Sequence, residues 1–328
     1  MIYINDLPSC SSFDDSLFAD DTTLLKSHEN LNELSIIVNQ EFQKIVHFFR
    51  SHKLSLHPEK TKFMLFTNQR NVQMPTIFIN FNNPGSNTTV NPIVPMHCIN
   101  TSEQPYIKFL GVFLDPQLNF KKHISYITSK LSKSLYFLRK TKNILNMRAL
   151  KFIYYATMHS NLIYAIQAWS CTYDSLLLPL IKKQKAAVRI INNSSYNAHT
   201  EPIFKKLCIL PFNSLCEFLK IQFMQRYLQG FLPQSFNDTW ITNRIQRDGQ
   251  AEIELRNEDR LYIPFARTNL IAKQPLISFP KMWESFPDGR IKFLRNKLEF
   301  NADLKKHFLE KLNDQVICNR LFCPSCVT

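Results

Sequence analysis

The chain has 328 residues, 40 Lys+Arg against 26 Asp+Glu, eight Cys and only five Gly. No apolar run reaches the ~18–20 residues that span a bilayer. Gly85, Gly111, Gly230, Gly249 and Gly289 stand far apart, so there is no phosphate-cradling loop and no dinucleotide fingerprint. The first residues, MIYINDLPSC, lack the basic and then apolar pattern of a secretory signal. Scattered cysteines in a chain of this size point to reduced thiols and an intracellular setting. With 45% hydrophobic residues, the composition is that of a globular protein of about two domains.

Charge is unevenly placed. Residues 1–60 carry five Lys/Arg and nine Asp/Glu; residues 116–200 carry thirteen Lys/Arg and one acid, Asp174. Like charges with few acids to relieve them repel, so a basic block of this kind points to polyanion contact.

In chain order, residues 16–25 read as a strand, a tight turn at the acidic pair, and a strand of β-formers. A helix follows over 31–51. Leu31, Leu34, Val38, Phe42, Ile45 and Phe49 make its apolar stripe, and Asn30 with Glu33 resembles a capping box. Pro58 breaks the chain, and 61–67 reads as a short strand. Residues 68–105, rich in Asn, Pro, Ser and Thr, read as an excursion with weak strands at 76–81 and 93–99. A strand is expected over 106–114, with Gly111 allowing a bulge. Helices are expected over 120–142, 147–170, 176–192, 212–229 and 301–313. The first of these places Ile124, Ile127, Leu131, Leu135 and Leu138 on one face. Lys121, Lys122, Lys130, Lys133, Arg139 and Lys140 lie opposite. The order hairpin, helix, strand, then helices is an α+β layout.

The sharpest chemical feature is Phe18-Ala19-Asp20-Asp21. Two carboxylates at a hairpin bend supply the hard oxygen ligands that Mg²⁺ takes in phosphoryl transfer. Taken alone, such a pair is an ordinary solvated turn.

Further segments accompany it in order. They are IYINDLP (2–8), LFADDTTL (17–24), Pro58-Glu59-Lys60-Thr61-Lys62, and Phe109-Leu110-Gly111-Val112. His123-Ile124 with the basic helices follows, then ILPF (209–212), ARTN (266–269) and PKMWESFP (280–287). Together they resemble the reverse transcriptases of non-LTR retrotransposons, the LINE type of the jockey-like branch. The resemblance implies three parts. Residues 1–118 would be the end of a polymerase palm, 119–230 a helical basic thumb, and 231–328 a mixed C-terminal region. It implies RNA-directed DNA polymerase chemistry with Mg²⁺ held by Asp20 and Asp21. Lys60 or Lys62 would serve as proton donor to pyrophosphate, and Phe109, Leu110 and Gly111 would position the primer. Lys121, Lys122, Lys130, Lys133, Arg139 and Lys140 would hold an RNA template with a DNA primer, or an RNA–DNA duplex. No membrane and no small-molecule cofactor is implied.

The family's first metal-binding aspartate motif and its fingers have no counterpart here. Two Mg²⁺ about 3.5–4 Å apart need that further ligand. The expectation is a fragment with little or no activity by itself; the alternative is a non-catalytic RNA/DNA-binding module. Cys318, Cys323 and Cys326 suggest a zinc knuckle short of a fourth ligand, for which His307 can be proposed; a reduced tail is the plainer reading. Trp169, Trp240 and Trp283 could stack on bases but are more usual as core residues. His159 reads as a satisfied helix residue.

Overall fold

The computed structural model describes residues 4–54, 56–57, 59–67, 73–80, 93–237, 239–240, 260–292 and 294–312. Within these the protein is mixed α and β, largely helical with small two-stranded sheets. The chain divides into two compact units, 1–109 with 115–117, and 110–114 with 118–328.

The first unit is built on helix α1 (Leu31–Ser51) and the hairpin β1 (Asp14–Phe18) and β2 (Asp21–Leu25). Antiparallel pairing sets Leu17 opposite Thr22 and Asp15 opposite Leu24. Leu17 and Leu24 pack with Leu7, Phe13, Phe42, Ile45 and Val46, which join the hairpin's inner face to the stripe of α1. Asn30 caps α1 by accepting the Asn32 N–H at 2.9 Å, and its amide donates to Glu33 at 3.2 Å. In an ordinary capping box the acid receives the backbone N–H instead. Further pairs join β3 (Lys62–Phe63) to β6 (His97–Cys98) in parallel, and β4 (Phe78–Asn80) to β5 (Ile93–Pro95) antiparallel. The strand expected over 61–67 is therefore two residues long. Beyond it the Asn100 amide takes over, accepting from the Leu65 N–H at 2.9 Å and donating to the Leu65 carbonyl at 2.8 Å. Asn39 of α1 serves Phe78 N–H and the Thr76 carbonyl in the same way. Pro58 and residues 68–72 lie outside the described residues.

The stretch expected as one strand over 106–114 is interrupted. β7 (Ile107–Phe109) ends the first unit's part, Leu110 and Gly111 take positive φ of 43° and 85°, and β8 (Val112–Leu114) belongs to the second unit.

The second unit is helical and holds two hydrophobic clusters. The first is organised by α2 (Lys121–Thr141) against α6 (Asp174–Ile191). Ile124, Ile127, Leu131, Leu135 and Leu138 of α2 meet Leu177, Leu180, Ala187, Val188 and Ile191. Between them run α3 (Met147–Ile153), a π-helical turn (Tyr154–His159), α4 (Ser160–Ile163) and α5 (Ile166–Trp169). One continuous helix was expected here. The Thr157, Ser160 and Asn161 side chains each bond a carbonyl one turn back, at 2.8, 2.6 and 2.6 Å. Such back-bonding loosens the helical ladder. Ala165 then turns left-handed at φ 50°, and the buried Trp169 indole donates to the freed Tyr164 carbonyl at 2.8 Å. After α7 (Glu201–Leu207), α8 (Phe212–Leu228) leads into the second cluster. α9 (Asn269–Lys273) packs on α10 (Pro275–Ser285) and α11 (Gly289–Lys292) on α12 (Lys297–Lys311), and α10 and α12 pack on α8 around Phe279, Trp283, Phe300 and Leu304. Among the described residues no single helix is long and apolar enough to cross a membrane.

Candidate nucleic-acid interface

Helix α2 starts where Asn119 accepts the Lys121 N–H at 3.0 Å and the Phe120 carbonyl accepts from Ile124. Its buried stripe leaves the opposite side to solvent, and all six basic side chains expected there are exposed. They do not form one surface. At about 100° per residue, Lys122, Lys133 and Lys140 fall within about 20° of a single line opposite the core. Lys130 stands about 80° to one side of that line, and Lys121 and Arg139 about 100° to the other. Among the described residues no carboxylate lies within 4 Å of Lys130, Lys133, Arg139 or Lys140. The helix has no acid in its first turn, and Lys121 and Lys122 stand at its positive end. A cation there costs a few tenths of a kcal/mol, which an arriving phosphate would offset.

Aromatic rings share this side. Tyr136 is 63% and Phe137 50% exposed. The Lys140 ammonium lies 5.6 Å from the centre of the Tyr136 ring, and that of Lys130 lies 4.6 Å from Tyr126. Tyr126 is half-buried and meets Phe113 edge-on. These rings were missed by sequence reasoning, which considered only tryptophans as stacking groups. Trp169, Trp240 and Trp283 are buried in the two cores. The signal for the exposed rings was present, because Tyr136 and Phe137 lie off the Leu131–Leu135–Leu138 stripe.

The neighbouring His123 is 2% exposed, between Trp169 at 5.6 Å and Phe113 at 6.4 Å. Its Nδ1 accepts the Phe113 N–H at 3.4 Å, and its Nε2 is buried without a partner. Burial, with a smaller contribution from Lys130, lowers its pKa to about 4, so the ring is neutral. His159, on the π turn, is likewise shifted downward by burial and Lys305; its Nδ1 is unpartnered and its ring meets Tyr155.

The Phe109-Leu110-Gly111 segment forms a tight bend held from Tyr164, whose hydroxyl donates to the Leu110 carbonyl. A Cβ on Gly111 would come 3.2 Å from the Tyr164 ring.

In the first unit, Ala19 and Asp20 form the two-residue turn between β1 and β2, and Ala19 carries the positive φ of 54°. Asp21 opens β2 opposite Phe18, on the hairpin's outer face. Both aspartates are exposed, as is Phe18 at 60%. Lys60 lies in a turn closed onto His57 and Lys62 in β3, both exposed. Among the described residues neither lysine pairs with Asp20 or Asp21. The two carboxylates suit one hydrated Mg²⁺ in donor type. Among the described residues no group of three metal-ligating side chains forms, so they do not amount to a two-metal centre. Cys318, Cys323 and Cys326 lie outside the described residues. His307 lines a cleft between α8 and α12, with its ring edge-on to Phe286 at 4.8 Å. Cys10, Cys98, Cys171, Cys208 and Cys216 carry free thiols.

In comparisons with known proteins, no family model, curated protein or solved structure matches the chain.

Proposed function

We propose that this chain is the palm-end and thumb part of a non-LTR retrotransposon reverse transcriptase, and that α2 holds the RNA template and DNA primer. The observation that carries the proposal is the line of Lys122, Lys133 and Lys140 along the exposed side of α2, with Lys130 beside it. It spans about 27 Å at 1.5 Å per residue, enough to meet several phosphates. The core behind it is the largest among the described residues, so the cations ride on a rigid support. The collinear motifs from 2–8 to 280–287 supply the identity of the polymer. Asp20 and Asp21, exposed at a tight turn, are the carboxylates that would contribute to a magnesium site.

A second reading, a non-catalytic RNA/DNA-binding module, is favoured by one observation: no third metal-ligating side chain joins Asp20 and Asp21 among the described residues. Both readings share the binding surface and part on chemistry. Anisotropy titration of a labelled RNA–DNA hybrid across a salt series tests the surface. Affinity should fall linearly on a log–log plot as counterions are released. Binding that ignores salt, or no binding to the hybrid or to either of its separated strands, would remove α2 as the contact surface. Primer extension with Mg²⁺ or Mn²⁺ tests the chemistry. Synthesis abolished by Asp20→Asn would establish the polymerase reading; no synthesis with binding retained favours the module.

A further inference from the structure

We infer that the α2 face is a platform for unpaired nucleotides, binding single-stranded RNA or DNA in preference to duplex. This rests on the reading of α2 as a nucleic-acid surface and specifies its ligand. Along that face, cations and rings are interleaved at helical spacing: Lys122, Tyr126, Lys130, Lys133, Phe137 and Lys140 succeed one another by three or four residues, with Tyr136 beside Phe137. Solubility alone would not place a half-exposed phenylalanine and a 63%-exposed tyrosine between phosphate-binding lysines. Stacking on bases gives both a role, because every base offers a π-face. The paired geometry strengthens the argument. Lys130 lies 4.6 Å from the Tyr126 ring and Lys140 5.6 Å from the Tyr136 ring. Each ammonium covers one face of its ring, so a base would stack on the other face of the exposed Tyr136 or on Phe137, with a lysine beside it for the phosphate. In a duplex each base face is covered by its neighbours, so rings on a helix surface gain little from it. The lysines would then act alone, without sequence preference.

The test compares a labelled single strand, RNA or DNA, with the matching RNA–DNA hybrid of equal length, by anisotropy at one salt concentration. The expected result is single-strand binding at least tenfold tighter. Tyr136→Ser with Phe137→Ser should weaken single-strand binding by about 30-fold or more, the loss of two stacked bases at no less than about 1 kcal/mol each, and change hybrid binding by less than about threefold. Lys133→Ala with Lys140→Ala should weaken both. Equal affinity of the unaltered protein for the two ligands, or an aromatic variant that loses both alike, overturns the inference and leaves the nucleic-acid surface standing. Failure of the unaltered protein to bind either ligand overturns the surface itself. The comparison of ligands on the unaltered protein decides the preference even if the serine variant does not fold.

Discussion

Tyr164 lies across the bend at Gly111. Its hydroxyl donates to the Leu110 carbonyl, and its Cε1 stands 3.2 Å from where a Cβ on Gly111 would sit. Two demands therefore meet at one glycine, a φ of 85° and a ring that leaves no room. Gly111→Ala should cost about 1–3 kcal/mol through strain and crowding together. Tyr164→Phe should cost about 1 kcal/mol by leaving the carbonyl without its donor. Combined with Tyr164→Ala, Gly111→Ala should cost less than the two single changes summed, since the crowding is gone while the φ strain stays. Urea denaturation of the four proteins measures the coupling; strict additivity would mean that the ring does not confine the glycine.

His123 makes stability depend on pH. Its folded pKa of about 4 is below the ordinary 6.5, so the unfolded chain binds the proton more readily. Its contribution is therefore fully present above pH 6.5 and is lost as pH falls from there towards 4. A shift of this size corresponds to about 3 kcal/mol at the acid end. His159 is shifted the same way and adds to the acid limb. His123→Gln keeps an acceptor near the Phe113 N–H and cannot titrate. Thermal melts between pH 7.5 and 4.5 should show a shallower decline for this variant. An unchanged slope would assign the acid sensitivity elsewhere.

Part of this was legible in the chain itself. The α2 core stripe is spelled by Ile124, Leu131, Leu135 and Leu138, and the hairpin by β-formers around an acidic turn. The break at Tyr164–Ala165 was not legible, because no proline or glycine marks it. It depends on Trp169, five residues on, finding the Tyr164 carbonyl. Trp169, Trp240 and Trp283 are buried, as is more usual for tryptophan, although the residue type by itself also allows a ring to stack on a base. Only the neighbours settle which, as Phe212 does for Trp169 at 6.0 Å. At the candidate site the cations were readable singly, and their division into a central line and two flanks follows from the ~100° spacing of a helix; what the structure adds is that all six side chains are exposed.

Gln184 is 1% exposed, and its amide donates to the Tyr154 hydroxyl at 2.9 Å and to the Leu210 carbonyl at 3.0 Å. It thus ties the π turn and the approach to α8 onto α6. Tyr154 is fully buried, and burial pushes its hydroxyl pKa upward. Gln184→Leu removes both donors at once and should cost about 2–4 kcal/mol. Adding Tyr154→Phe should recover part of that loss, because one stranded oxygen disappears with it. Chemical denaturation of the single and double variants gives the answer. A double variant no more stable than Gln184→Leu alone would show that the hydroxyl contributes nothing to the network.

The layout of cations around α2 predicts unequal roles for residues of equal charge. A nucleic acid lying along the helix meets Lys133 and Lys140 together, since both fall within about 20° of the outward line. Lys121 and Arg139 point about 100° away and sit about 27 Å apart along the axis, so a strand on that line leaves both at its margin. Lys133→Ala with Lys140→Ala should reduce the magnitude of the log–log salt slope by about 1.8 on a duplex, close to 0.9 per lost phosphate contact. Lys121→Ala with Arg139→Ala removes the same charge, and its effect should be confined to the long-range field, with a slope changed by less than about 0.5. The helix itself should survive both changes, because alanine is the best helix former and all four side chains are exposed. Equal slopes for the two double variants would mean that net charge alone, and not the line on α2, governs binding.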